Sequence, residues 1–297
     1  MFRLSITNSF MQLALLVCAL GVGMLLTGFA GVALASLFGI SPAQAAFSVS
    51  NLSLTRCLMA VQSVGIFMLP PILAAVFIKR KRACIFLGVA RKPMRVNVVL
   101  TAIALVATIP FISLAANVNA QLPLPDWAKS IDQATTALNV GLIFTPDVSD
   151  MLLNMLIIAL IPAVSEELLF RGYLQRVLCS WIKKPHVAIF ISAIIFSALH
   201  IQFEGFIPRF LLGALFGYLF HWSGSLWLPV TAHFTNNAAT VYAYFYAARS
   251  NIDVEALEVE PSVNTLLALA SVLVVVNLLG QIQRREKLRR KRRLLPA

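Results

Sequence analysis

Eight stretches of roughly twenty mostly apolar residues, at about 11–39, 57–78, 96–117, 150–178, 186–203, 207–222, 226–247 and 262–281, constrain this chain more than any other feature. Hydrophobic residues make up 59% of the 297 and charged residues 12%, with mean hydropathy +0.85; a soluble domain carries roughly a quarter charged residues. No soluble core encloses that much apolar side chain, because even a large domain keeps its polar residues for its surface. A water-soluble enzyme is therefore excluded, and lipid is the solvent. In hydrocarbon each backbone polar group must be satisfied within the structure, and no alternating barrel pattern is present, so every stretch is predicted to be helical. The expected fold class is all-α: a polytopic helical membrane bundle of about eight transmembrane helices, forming one integral membrane domain over residues 1–297.

Charge placement orients such a bundle, because Lys and Arg concentrate in cytoplasmic loops. Lys79 to Arg82, Arg91, Lys92 and Arg95 follow the second stretch, Arg176, Lys183 and Lys184 follow the fourth, and eight more cations fill the tail from Arg284 to Arg293. With eight alternating spans all of these share one side. The other side receives Arg56, Lys129, Arg209 and Arg249, together with most of the acidic residues, among them Asp126, Asp132, Asp147, Asp150 and Glu204. Both termini are thus expected in the cytoplasm, with the plasma membrane as the expected location. A signal peptide ending near Ala43-Gln44-Ala45 is the alternative for the first stretch, but residues 11–39 run well beyond the 7–15 residues of a signal core. The segment 119–149 reads as an outer-face loop with a short interfacial helix. The basic tail, 282–297, fixes topology and touches lipid head groups, and no nucleic-acid partner is expected. Cys18, Cys57, Cys84 and Cys179 form no C-x-x-C pair and read as packing residues. Gly213 and Gly217 would let two helices approach closely.

Ionisable residues inside spans cost roughly 2.5–3.5 kcal/mol each on insertion scales, so each is a candidate functional group. The fourth stretch carries Glu166, Glu167 and Arg171, the fifth Phe196 and His200, the seventh His233 and Asn237. Glu167 and Arg171 are four apart, share a helix face and can neutralise each other. Glu166 points about 100° away and is left unpaired in a low-dielectric bundle, which suits a general base. A rise of about 1.5 Å per residue places Glu166, His200 and His233 at comparable depths, so the three can meet. His233 and Asn237 share a face and could jointly hold a developing oxyanion. Together these groups suggest hydrolysis inside the membrane: water activated by Glu166 and His200, with charge held by His233 and Asn237. The plainer alternative is that such groups glue helices together, as Ser, Asn and His do in many bundles.

The three motifs resemble those of the CPBP family of intramembrane endopeptidases, the CAAX prenyl proteases and bacteriocin-processing enzymes. The family pattern E-E-x-x-x-R, F-x-x-x-H and H-x-x-x-N or H-x-x-x-D appears here as Glu166-Glu167 with Arg171, Phe196 with His200, and His233 with Asn237. The likeness covers about 145–247, the expected catalytic core. It implies an endopeptidase acting on membrane-associated peptides or proteins, with Glu167, Arg171 and Phe196 supporting the site; it transfers neither substrate identity nor oligomeric state. The family has also been described as zinc-dependent, and Glu166, His200 and His233 could supply three ligands. A carboxylate held by a metal is not a free base, and no His-Glu-x-x-His pair divides those roles, although Glu167 could take the second. No cofactor is therefore assigned, with zinc the alternative. A non-catalytic scaffold or immunity protein is a further alternative. A transporter fits less well, for want of repeated halves or paired broken helices.

Overall fold

The computed structural model describes residues 8–41, 51–254 and 264–294. Among these the chain is helical throughout, with nine helices and no strand: α1 (Ser9–Leu37), α2 (Leu52–Leu87), α3 (Arg95–Ala120), α4 (Asp126–Ile143), α5 (Val148–Ile182), α6 (Pro185–Ala198), α7 (Phe206–Ser223), α8 (Trp227–Arg249) and α9 (Thr265–Leu294). The protein is an all-α helical membrane bundle. Its outer surface is apolar, with Phe29, Leu266 and Leu273 each more than 70% exposed, as expected where lipid rather than water faces the side chains.

Five helices, α1, α2, α3, α5 and α9, are long and apolar enough to cross a membrane. The other three expected spans are helical but differ in kind. At about 1.5 Å per residue, the 14 residues of α6 reach roughly 21 Å, short of a hydrocarbon core of about 30 Å. Helices α7 and α8 are diluted by Arg209, His221, His233 and the Thr235 to Asn237 run, of which His233 is buried. The cleavage-like Ala43-Gln44-Ala45 lies outside the described residues, as do Glu255, Glu258 and Glu260. The helix expected within 119–149 is not short. It covers 18 residues, and Asp132 on it is buried.

Helix α5 is the hub, packing against α2, α6, α7 and α8, while α9 lies against α3. Asp147 caps its start, accepting from Ser149 N and Asp150 N; the bonds from Ser149 and Asp150 hold this exposed carboxyl below the usual carboxylate range. Two wide π turns interrupt α5, at Met155–Leu160 and Leu168–Gln175, and a third interrupts α2 at Ser63–Met68. Two of the three immediately precede proline: Pro162 in α5, Pro70 and Pro71 in α2. Proline lacks an N–H and its ring crowds the carbonyl four residues back, so a locally widened ladder accommodates it. The core around the hub joins Leu16 of α1, Ala74 and Ala75 of α2, Leu169, Phe170 and Tyr173 of α5, and Phe196, Phe220 and Val230.

The close approach expected at Gly213 and Gly217 is present between α7 and its neighbours. A Cβ on Gly213 would stand 3.1 Å from the Phe196 ring, and one on Gly217 would stand 2.8 Å from Ile189 and 2.9 Å from Gln175. Baring the backbone has a second effect: the Gly213 carbonyl accepts from Arg171 and the Gly217 carbonyl from Gln175. The four cysteines are free thiols. Cys18 and Cys84 are exposed on the apolar surface rather than packed inside, and Cys57 and Cys179 are half-buried.

Candidate active site

Helix α5 presents its two adjacent glutamates to different partners. Arg171 Nη1 donates to Glu167 Oε1 at 2.8 Å, and both side chains are fully buried. The second guanidinium arm donates to Gly213 O at 2.8 Å. The flat cation is caged by Phe196, Phe216 and Phe170, at 4.6, 5.4 and 5.8 Å from the ring centroids. Ring faces carry negative charge density, so they replace part of the lost hydration. The same Glu167 Oε1 also accepts from His233 Nδ1 at 2.9 Å. One buried carboxylate thus ties α5 to α8, and through Arg171 to α7.

Glu166 is left outside this network. Its side chain is 13% exposed, and its Oε2 has no hydrogen-bond partner among the described residues. That oxygen stands 3.8 Å from His200 Nε2 and 3.9 Å from His233 Nε2. These separations are too long for a direct hydrogen bond.

The other nitrogen of each imidazole fixes its tautomer. His200 Nδ1 lies 2.7 Å from Phe196 O, and a carbonyl can only accept, so Nδ1 carries the proton and Nε2 presents a lone pair towards Glu166. His233 Nδ1 donates to Glu167 by the same logic. Phe196 packs edge-on to both rings, and Phe216 stacks on His233 at 5.2 Å.

The structure brings Glu166, Glu167, Arg171, Phe196, His200 and His233 together. Asn237 sits one turn along α8 from His233, but its Nδ2 reaches back to Ile158 O at 3.4 Å, and its Oδ1 accepts from Asn236. Ile158 is four residues before Pro162, which has no N–H to offer it, so Asn237 serves a carbonyl that the proline leaves short. His200 is not inside a helix. Helix α6 ends at Ala198, and His200 lies in the following turn, where Ile201 adopts a positive φ of 52°.

Residues outside the three motifs hold that turn. Asp132 of α4 accepts from Phe203 N and Glu204 N, Asn119 of α3 accepts from Ile207 N and donates to Phe203 O, and Ser197 donates to Phe206 O. Arg209 donates to Gln202 Oε1 at 2.7 Å and lies within electrostatic reach of Glu166 and Asp132. Sequence reasoning places Asp132 on the outer surface. The one signal against that is an acidic residue on the apolar face of an amphipathic helix.

Glu166, His200 and His233 are donors that zinc accepts. As they stand, no set of three His, Cys, Asp or Glu side chains among the described residues converges closely enough to form a metal shell.

Comparison with known proteins finds two likenesses, both over part of the chain. Residues 148–239 match the model for the type II CAAX prenyl endopeptidase Rce1-like family. Uncharacterized protein YpbD of Bacillus subtilis (strain 168) is 33% identical over 89 residues, covering 29% of this chain and 42% of that relative. The chain therefore spans under half the length of the curated relative it matches. No solved structure matches it. Over residues 148–239, the stretch that carries all three motifs, the chain is similar to the Rce1-like family of type II CAAX prenyl endopeptidases.

Proposed function

We propose that this protein is an intramembrane endopeptidase that hydrolyses peptide bonds of membrane-associated substrates, of CAAX, bacteriocin-like or related type, by water activation on Glu166 and His200. The observation that carries the reading is the Glu166 Oε2 atom, unpartnered and 3.8 Å from a histidine Nε2 whose lone pair faces it. Once the two side chains part enough to admit a water, these two acceptors take it by both its protons and turn its oxygen lone pair outward. Attack on the scissile carbonyl forms the C–O bond as the proton passes to Glu166. The oxyanion is received by His233 and by the Asn237 amide, once that amide leaves its long bond to Ile158. A proton on His233 Nε2, its charge balanced by Glu167, is what that step requires. Glu166 then returns its proton to the leaving amine as the C–N bond breaks.

Arg171 and His233 engage Glu167 through Oε1 alone, and its Oε2 has no hydrogen-bond partner among the described residues, so the metal-free course with Glu166 as base and a zinc course with Glu167 as base are separated by the chelator test below. The protein is placed in the plasma membrane with both termini cytoplasmic, on the strength of the charge asymmetry.

The test compares peptide termini of the membrane proteome, by mass spectrometry, in cells producing the intact protein or Glu166→Gln. New termini confined to the intact protein support proteolysis and identify substrates; identical termini at equal abundance of folded protein favour the scaffold or immunity reading. Adding 1,10-phenanthroline to the purified enzyme then separates mechanisms: unaltered cleavage fits the glutamate course, and loss restored by zinc fits the metal one.

A further inference from the structure

At one end of the bundle, away from the glutamates, four separate segments bring cations around one cavity of about 1020 Å3. The α2–α3 connection contributes Arg91 and Lys92, α5 contributes Arg176, α7 contributes His221, and α9 contributes Arg289 and Arg290. No Asp or Glu is among the lining residues. The nearest acidic neighbour identified is Glu286, which is fully buried, accepts from Asn97 Nδ2 at 2.8 Å and stands 3.8 Å from Arg289 Nη1.

Apart from the Arg289–Glu286 pair, the cations are held in place by carbonyls. Arg289 donates to Lys92 O at 3.0 Å, Arg290 to His221 O at 2.9 Å, and Arg176 to Gly224 O at 3.4 Å. Gathering like charges in a partly desolvated space is unfavourable without an anion, and Arg91 and Arg176 lie within electrostatic reach of each other. Two buried donors, Arg176 Nε and Arg289 Nη1, have no hydrogen-bond acceptor among the described residues. Guanidinium groups with spare N–H donors match the oxygens of a phosphate. The wall beside them is apolar: Phe220 lies 4.6 Å beneath the Arg176 guanidinium, and Phe86 lines the same space. Site volumes for small molecules run about 300–1,000 Å3, so the cavity has room for far more than a bare ion.

We infer that this cavity is a binding site for a phosphate ester, filled in the membrane by the head group of an anionic phospholipid. The cations take the phosphate and the aromatic wall takes the glycerol and first methylenes. Basic pockets between membrane helices bind lipid head groups by this combination. Helix α9, which carries the basic tail, is then held on the bundle partly through the bound lipid. This site is independent of the glutamate chemistry.

The experiment is native mass spectrometry of the purified full chain in neutral detergent, with dihexanoyl phosphatidylglycerol, dihexanoyl phosphatidylcholine or inorganic phosphate added. Lys92→Gln/Arg290→Gln removes two exposed cations of the site; Lys287→Gln/Lys291→Gln removes the same charge from exposed positions outside it. The expected result is retention of phosphatidylglycerol over phosphatidylcholine by the parent, a loss of about 30-fold in the first pair at roughly tenfold or less per cation, and little change in the second. Lys92→Arg/Arg290→Lys keeps both charges, and its retention of lipid separates a lost site from a lost fold. Displacement of the lipid by millimolar inorganic phosphate assigns the site to free phosphate as well. Equal retention of both lipids by the parent, or equal loss in both neutralised pairs, overturns the inference.

Discussion

Replacing Arg171 by Ala puts the largest calculable strain on this structure. Arg171 and Glu167 are fully buried and joined at 2.8 Å, so the change strands a carboxylate inside the bundle. Breaking a buried pair from one side costs about 3–5 kcal/mol. Leaving the Gly213 carbonyl without its donor adds roughly 1 kcal/mol. His233 still donates to Glu167, which pulls the sum towards the low end of about 4–6 kcal/mol. At roughly 2–4 °C per kcal/mol for larger domains, the melting temperature drops by about 8 °C or more. The assay is thermal unfolding of the detergent-purified protein by circular dichroism, beside the double variant Glu167→Gln/Arg171→Met. Removing both charges relieves the stranded one, so the double variant is expected to recover at least half the loss. A single variant melting within 2 °C of the parent, or a double variant no more stable than the single, refutes the reasoning.

Three further perturbations probe other parts of the account. His200→Ala, at a side chain 30% exposed, should leave the melting temperature near that of the parent while cleavage of a membrane peptide falls by about 10²–10⁴; a fold change under three would remove His200 from the reaction. Asp132→Ala takes the acceptor from Phe203 N and Glu204 N and frees the turn that carries His200, so kcat should fall with KM little changed, and Asp132→Glu should restore part of it; equal losses of kcat and of folded protein would reduce Asp132 to a purely structural residue. Gly217→Ala drives a Cβ to 2.8 Å from Ile189 and should cost about 1–3 kcal/mol, whereas Gly28→Ala, with nothing within 4 Å, should be neutral in the same melting assay.

Some of this architecture is legible in the chain and some is not, for reasons that can be named. The Glu167–Arg171 pair follows from a spacing of four on one helix. The gathering of Glu166, His200 and His233 is readable because polar groups in lipid are few and must find one another, so similar depth predicts proximity. The narrow seat of α7 is signalled by Gly213 and Gly217, although not that their carbonyls would serve Arg171 and Gln175. The early end of α6 at Ala198 carries no apolar signal, since Leu199 and Ile201 continue the hydrophobic run. It is imposed by Asp132 and Asn119, roughly 70–90 residues away in the chain. Asn237 looks available by helical spacing, and its tie to Ile158 depends on Pro162 in a different helix. The cavity at the basic end draws on four segments that the charge pattern assigns to one face without saying that they converge.

The most direct test of the central claim is the cleavage rate of the purified protein in liposomes, on a membrane peptide recovered from the terminal-peptide comparison, for the parent and Glu166→Gln. The Gln side chain keeps the volume but cannot accept the proton of the attacking water. The account predicts a fall of about 10²–10⁴ in kcat at unchanged melting temperature and lipid retention. A rate within twofold of the parent, from equally folded protein, would contradict Glu166 as the base.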